Sequence, residues 1–351
     1  MRVSETAQSF NWPAGRATAI GSMPGVNPVE AARIVVGELP DLPCLPELPA
    51  RGVGADLIGR AAAVLVDLPI EVVPSGYRVT ARPGMDSRRA VDLMRRDFDA
   101  IQEVLDETRA RPGVVKVQLP GPWTLTAGIE LARGHRALTD PGALREFTES
   151  LAEGLRGYVS EVAERTGATV VVQFDEPTLP AVLAGSLPTP SKLGRVAPVA
   201  EPEARDTLAT VISAARKATG APVIVHCCAA RPPVTLLRAA GADALALDAT
   251  LLDDAGAELW DEIGTVWDAG ATLLLGLVPG VEPAAPPSLR AAAGPALRLV
   301  DRLGFNRSLL AQRALATPCC GLAGATVSWA TKALGLARDL GRAFVEPPES
   351  W

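Results

Sequence analysis

The stretch Val223-Ile224-Val225-His226-Cys227-Cys228 decides how this chain is read. A β-branched apolar run ends abruptly in an imidazole and two thiols. Such a run reads as a strand buried on both faces, as in a parallel sheet. Side chains two apart on an extended segment point the same way, so His226 and Cys228 converge while Cys227 faces away. A second thiol pair, Cys319-Cys320, follows in Ala316-Thr317-Pro318-Cys319-Cys320-Gly321. Imidazole nitrogen and thiolate sulfur are the donors a borderline-soft cation such as zinc takes. The two stretches are therefore expected to meet at one metal.

The same rhythm extends in both directions. Strands are expected at 16–23, 114–119, 169–174, 222–226, 244–247, 272–277 and 309–316, with a weak, proline-broken one at 42–48. Helices are expected between them: 27–38, opened by Asn27-Pro28, then 54–65, 86–110, 123–133, 141–165, 178–185, 202–218, 232–239, 255–269, 288–303 and 324–342. Residues 71–73 and 77–80, joined by Pro74-Ser75-Gly76, read as an inserted β-hairpin at about 70–82. About eight strand-then-helix units predict an α/β chain folded as a (β/α)8 TIM barrel. The expected organisation is a lead-in over 1–15 and one catalytic barrel over 16–351. A doubly wound open sheet is the alternative, but no Gly-x-Gly-x-x-Gly follows an early strand.

Composition bounds the partners. Of 351 residues, 48% are hydrophobic and 21% charged, which suits a soluble globular enzyme with a substantial core. The net charge of −6 gives no general attraction to nucleic acid or anionic lipid. No apolar run approaches the roughly 20 residues that span a bilayer. The first thirteen residues carry no signal-peptide pattern. Four of the five cysteines stand in adjacent pairs, which bridge each other only with strain. The expected setting is a reducing cytoplasm.

In a barrel of this kind the active site is built at the C-terminal ends of the strands. Those positions hold Ser22, Asp175, Glu176, His226, Cys228, Asp248 and Cys320. One nitrogen and two sulfurs, from His226, Cys228 and Cys320, match a zinc site with an open fourth position; the competing reading is small buried cysteines. Asp175-Glu176 could accept from a substrate ammonium or cap a helix. Ser22 could bind a carboxylate or close a turn. Asp248 could be a fourth ligand or a cap. Cys227 and Cys319 face away, Cys44 and Trp123 read as core, and His135 as exposed surface.

These motifs, in this order, resemble the C-terminal catalytic barrel of cobalamin-independent methionine synthase. The matching stretches are Ile20-Gly21-Ser22, Leu119-Pro120-Gly121-Pro122-Trp123-Thr124, Gln173-Phe174-Asp175-Glu176-Pro177, His226-x-Cys228, Ala242-Asp243-Ala244-Leu245-Ala246-Leu247-Asp248 and Cys320-Gly321-Leu322. The resemblance implies a zinc-dependent enzyme that methylates the sulfur of homocysteine. By position it implies His226, Cys228 and Cys320 as zinc ligands. Asp248 stands where the family has a glutamate ligand one methylene longer. Ser22, with the Ile20 and Gly21 backbone, would hold the amino-acid carboxylate, and Asp175 its ammonium; Glu47 and Glu176 are the further candidates for substrate contact. The family's N-terminal barrel and its folate-pocket tryptophan have no counterpart here, which leaves the methyl donor open between a methylated corrinoid or corrinoid protein and a methyl-folate. Another small-thiol methyltransferase, a metal-free decarboxylase of the uroporphyrinogen type and a non-catalytic zinc- or thiol-binding protein are the alternatives.

Overall fold

The computed structural model describes residues 10, 12–13, 17–254 and 256–348. Most of the expected 1–15 lead-in, Arg16 of the first expected strand, and the last three residues lie outside the described residues. In chain order the elements are α1 (Pro28–Glu38), α2 (Leu57–Ala62), β1 (Ile70–Val73), β2 (Gly76–Val79), α3 (Met85–Thr108), β3 (Val114–Pro120), α4 (Pro122–Gly128), β4 (Ile129–Glu130), α5 (Pro141–Thr166), β5 (Thr169–Asp175), α6 (Leu179–Leu183), α7 (Glu201–Thr219), β6 (Val223–His226), α8 (Val234–Ala239), β7 (Ala244–Asp248), α9 (Ala257–Asp268), β8 (Thr272–Val278), α10 (Leu289–Arg302), α11 (Ser308–Arg313), β9 (Ala314–Pro318) and α12 (Val327–Val345).

Six strands form an all-parallel sheet in the order β3-β5-β6-β7-β8-β9. The order follows the sequence without the reversal that marks a doubly wound sheet. The sheet is curled, and its edges are drawn towards each other by two further segments. Ala17 bridges Ala316 on β9, Ser22 bridges Glu47, and Cys44 bridges Lys116 on β3, all in parallel. Pro43 and Pro46 lack an N–H, so the second of these segments pairs through isolated bridges rather than a ladder. Its bonds are Leu45 N to Lys116 O and Lys116 N to Pro43 O, both at 2.9 Å, on one side, and Glu47 N to Gly21 O at 3.1 Å and Met23 N to Glu47 O at 2.8 Å on the other.

Alternation along each strand divides two apolar layers. Outward residues such as Val117, Phe174, Val225, Cys227, Leu245 and Leu275 pack against the helices. Inward residues Val114, Val171, Ile224, Ala244, Ala246, Leu274 and Leu315 join Ile20, Leu42 and Trp12 in a second cluster that contains no helical residue. The inner face of the sheet is thus covered by the sheet itself. At the N-terminal end of the interior, Trp12 donates from Nε1 to Thr272 Oγ1 at 3.2 Å.

The hairpin forms as expected, Ile70 pairing with Val79, and joins β4 in a three-stranded sheet. Two expectations fail locally. Residues 129–133 do not continue the helix: Ile129–Glu130 is extended and pairs with β2. Residues 308–313 form helix α11, and the last strand begins only at Ala314. In Leu-Leu-Ala-Gln-Arg the apolar run does not distinguish helix from strand.

Replacing Ile224 by Ala, which empties part of the inner layer, is expected to cost about 2–5 kcal/mol of unfolding free energy. Val26→Ala, on an exposed loop, should change it by less than about 0.5 kcal/mol. Equal, small effects in denaturant melts would contradict the inner-core assignment.

Candidate functional site

Strand register places the site. Asp175 on β5 is paired directly with His226 on β6. Paired residues of a parallel sheet share a face, so both side chains point inward. His226 Nδ1 and Asp175 Oδ1 lie 2.8 Å apart, and Gln173 donates from Nε2 to the same oxygen at 2.8 Å. Burial lowers the affinity of His226 for a proton, but the Asp175 hydrogen bond and the adjacent Cys320 sulfur outweigh it and raise the imidazole to about 9. With Nδ1 engaged, the buried Nε2 is left without a hydrogen-bond partner.

Cys228 lies two residues beyond His226 on the same inward parity, and Cys320 arrives from the end of β9. Their sulfurs are 3.2 Å apart, and all the cysteines are free. His226, Cys228 and Cys320 bring their donor atoms within 4.8 Å of one another. A shared proton makes the two thiols unequal. The hydrogen bond between the two sulfurs, with help from His226, holds Cys320 well below the usual thiol value against the opposing effect of burial, while the same bond raises Cys228. An imidazole nitrogen with no hydrogen-bond partner and two sulfurs fit zinc, whose bonds to such donors are about 2.0–2.3 Å. The carboxylate behind the imidazole is the usual outer partner of a metal-bound histidine.

These residues open on a cavity of about 220 Å³. Its polar lining includes Ser22, Glu47, Asp175, His226, Cys228 and Cys320, and its apolar lining includes Ile20, Ala55, Leu57 and Pro177. Ser22 and Gly321 approach so closely that a Cβ at Gly321 would stand 1.9 Å from Ser22 Oγ. Leu322 N donates to Ser22 O at 2.8 Å, which seats the cysteine loop on the first strand segment. At Gly21 a Cβ would stand 2.6 Å from Gln118 Cδ. Glu47 is buried, and its Oε1 accepts from Arg60 Nε at 3.1 Å. Burial raises the Glu47 carboxyl, with Arg60 opposing.

Beneath the cavity lies a polar floor that the sequence reading did not single out. Lys116 is fully buried and donates to Ile20 O at 2.8 Å and to Gln118 Oε1 at 3.1 Å. Gln173 also donates to Ile20 O, at 2.9 Å. Two donors on one carbonyl fix the Ile20-Gly21 peptide and hence the turn that presents Ser22. The signal was available in Val-Val-Lys-Val-Gln-Leu, where Lys116 and Gln118 share one face of a strand otherwise read as apolar.

The remaining candidates lie elsewhere. Glu176 is not part of the cavity wall. Next to inward Asp175 it faces outward, and it accepts from Trp123 N at 3.0 Å and from Thr124 N and Oγ1 at 2.8 Å, capping α4. Gly121 makes room for it, since a Cβ there would stand 2.2 Å from Glu176 Oε1. Asp248 is outside the His-Cys-Cys group; its Oδ1 accepts from Thr250 N at 2.9 Å and Thr250 Oγ1 at 2.6 Å. Cys227 and Cys44 are fully buried, His135 is exposed, and Trp123 is core.

Among the five cysteines, Cys320 is expected to alkylate first in reduced, metal-free protein. A thiol held below its usual value ionises first as pH rises, whereas burial pushes Cys44 and Cys227 up to about 11 and Cys319 to about 12. Iodoacetamide labelling followed by peptide mass spectrometry checks this. Labelling of Cys320 that begins only near pH 8 would contradict it.

Comparison with known proteins gives the family. The family described as "Cobalamin-independent synthase, Catalytic domain" matches residues 16–343. A solved B12-independent methionine synthase from Shewanella sp. W3-18-1, in complex with selenomethionine, superposes with a TM-score of 0.59 at 13% identity, covering 94% of this chain and 97% of that one. A putative vitamin-B12-independent methionine synthase from Listeria monocytogenes gives 0.55 at 14% identity, covering 95% and 98%. At such identities these likenesses speak for the fold alone. No curated protein sequence matches the chain. With the family matched over nearly its whole length, the chain belongs to the cobalamin-independent methionine synthase family, as a catalytic domain.

Proposed function

We propose that this chain transfers a methyl group to the sulfur of homocysteine, forming methionine, with zinc held by His226, Cys228 and Cys320. The proposal includes its frame: the six paired strands and the two bridged segments are the eight staves of one (β/α)8 barrel, a single catalytic unit. The observation that carries it is the convergence of an unpartnered imidazole nitrogen and two thiols on a cavity that also holds Ser22, Glu47 and Asp175.

Zinc at this position would supply a Lewis acid that keeps a thiol, with a free pKa of about 8.5, in its nucleophilic thiolate form at neutral pH. The chain's own residues do the rest. Asp175 holds the imidazole so that Nε2 faces the two sulfurs. Ser22, on a turn fixed by Lys116 and Gln173, receives the substrate carboxylate. Glu47 and Asp175 make the opposite, acidic side of the cavity, which suits an ammonium. Ile20, Ala55, Leu57 and Pro177 enclose the aliphatic part and exclude water. Holding both ends of an amino acid leaves its sulfur one orientation, which is where positioning lowers the barrier.

A cavity of about 220 Å³ suits an acceptor of amino-acid size. A methylated corrinoid, or a methyl-folate, would present its methyl group at the mouth with its bulk outside. Two acidic side chains on the wall favour homocysteine over a thiol that lacks an ammonium. Asp248 would complete a four-ligand set only by leaving Thr250, so three ligands and an exchangeable position are assigned. That set favours catalysis over zinc storage. Free cysteines need reducing surroundings, and we place the protein in the cytoplasm. Among the described residues no helix is long and apolar enough to cross a membrane.

Protein purified without added metal should carry about one zinc per chain, and Cys228→Ala little. The wild type should form methionine from homocysteine with methylcobalamin or methyltetrahydrofolate, and the variant should not. Methyl transfer by zinc-free Cys228→Ala would refute the assignment. Asp175→Asn, which removes the charge behind the imidazole, should weaken zinc binding by about 10–100-fold. Unchanged affinity in a competition with a chelator would contradict the role given to Asp175.

A further inference from the structure

The inserted hairpin supplies no residue to the cavity lining, yet it grips a segment that does. Pro49, Ala55 and Leu57 line the cavity. They lie on or beside a stretch, 48–56, that pairs with no strand among the described residues and carries only a short turn at Pro49–Arg51. Its course passes through Gly52 and Gly54, both at positive φ, so the backbone alone does not hold it. Two side chains do. Arg89 of α3 donates from Nε to Val53 O and from Nη2 to Arg51 O, both at 3.0 Å. Tyr77 of β2 accepts from Gly54 N at 3.0 Å and donates to Asp56 Oδ2.

One phenol therefore holds both flanks of Ala55. Asp56 uses its other oxygen to cap α2, accepting from Ile58 N at 3.1 Å and Gly59 N at 3.0 Å. Gly59 permits the close approach: a Cβ there would stand 2.5 Å from Gly54 Cα and 2.6 Å from Tyr77 Oη. Burial and the Asp56 hydrogen bond raise the Tyr77 phenol, so it stays protonated and keeps donating. A lone hairpin would be a weak post. This one is anchored on both sides, with Tyr77 paired to Ile129 of β4 and Val72 N donating to Asp86 Oδ2 of α3 at 2.9 Å.

The wall matters because the substrate is tethered at both ends. In the reading above its head group sits at the Ser22 turn and its sulfur at the His226-Cys228-Cys320 group, so only one chain length spans them without bowing. A longer chain must bow sideways against the lining. Ile20 and Pro177 stand beside the strands of the sheet; the Ala55 and Leu57 side is the one built on a loop. We infer that Tyr77 is a positioning residue, which through Gly54 and Asp56 fixes Ala55 and Leu57 in the wall and so sets the length of the thiol that the site accepts. The inference rests on the homocysteine reading and deepens it.

Homocysteine and the amino-acid thiol one methylene longer carry the same carboxylate and ammonium, so a change at those groups cancels in the ratio of their affinities. Titration calorimetry on reduced, zinc-loaded chain measures that ratio. The wild type should prefer homocysteine by about tenfold or more, the scale of one methylene in a fixed pocket. Tyr77→Phe should cut the preference by about fivefold or more, leave the zinc content unchanged and speed deuterium exchange at the Gly54 amide. Asp56→Ser keeps a helix cap but is too short to reach the phenol. It should act in the same direction, and it decides if Tyr77→Phe does not fold. The two changes combined should do no more than either alone, because they break one link. Leu340→Ala, on the buried face of α12, lowers stability elsewhere and should leave the ratio at the wild-type value. A ratio unchanged in Tyr77→Phe overturns the inference, and so does an equal fall in Leu340→Ala. Wild type that binds both thiols equally overturns the inference alone, whereas wild type that binds neither refutes the homocysteine reading itself.

Discussion

Asp175 and His226 are neighbours in the register of β5 and β6, and the hydrogen bond between them fixes everything above it. It sets which imidazole nitrogen is occupied and which is offered to the cavity. It depends on parity: a slip of one residue along either strand would turn one partner out towards the helices. Register in turn depends on the apolar alternation below the site, where Val171, Ile224 and Ala244 fill the interior. The core that stabilises the sheet and the geometry that aligns the site are therefore one constraint. Segments far apart in the chain, around Ser22, Glu47, Asp175, His226 and Cys320, meet because the sheet curls far enough for Ala17 to bridge β9 and Cys44 to bridge β3.

The interior changes character from one end to the other. Its N-terminal half is apolar and holds the Trp12 side chain. Its C-terminal half carries Lys116, Gln118, Gln173, Asp175 and His226. Burying such groups costs free energy unless each is hydrogen-bonded. Here Lys116 and Gln173 converge on the Ile20 carbonyl, Gln118 reaches Leu45 O at 2.6 Å, and Asp175 joins Gln173 to the imidazole. A polar network of this kind is rigid because each member holds another. It orients the Ser22 turn and the imidazole from below, and the cavity inherits that rigidity.

Much of this was legible in the sequence. A strand ending in His-Cys-Cys, a second strand ending in Cys-Cys-Gly and a third ending in Asp-Glu-Pro announce a common rim, because apolar runs set the strands and the strands set the rim. What was not legible depends on packing between distant elements. The buried ion pairs of Arg60 and Arg51 with Asp97 exist only because α2 lies on α3, and no spacing in the sequence joins Arg60 to Glu47. Asp175 and Glu176 looked alike as adjacent acids; the period-two alternation of β5 separates them, one inward to His226 and one outward to α4. The prolines around Cys44 weakened the reading of the second segment for the same reason that it pairs only through isolated bridges. The short helix at Ser308–Arg313 reads as strand in the sequence because a brief apolar run carries too little periodicity to choose.

The central claim is that the open side of the His226-Cys228-Cys320 group receives the substrate sulfur. X-ray absorption at the zinc edge, on protein as purified and again with homocysteine added, tests it most directly. The account predicts one nitrogen and two sulfur neighbours from the protein, and one additional sulfur when homocysteine is present. A sulfur count that does not change on saturation with homocysteine would contradict it.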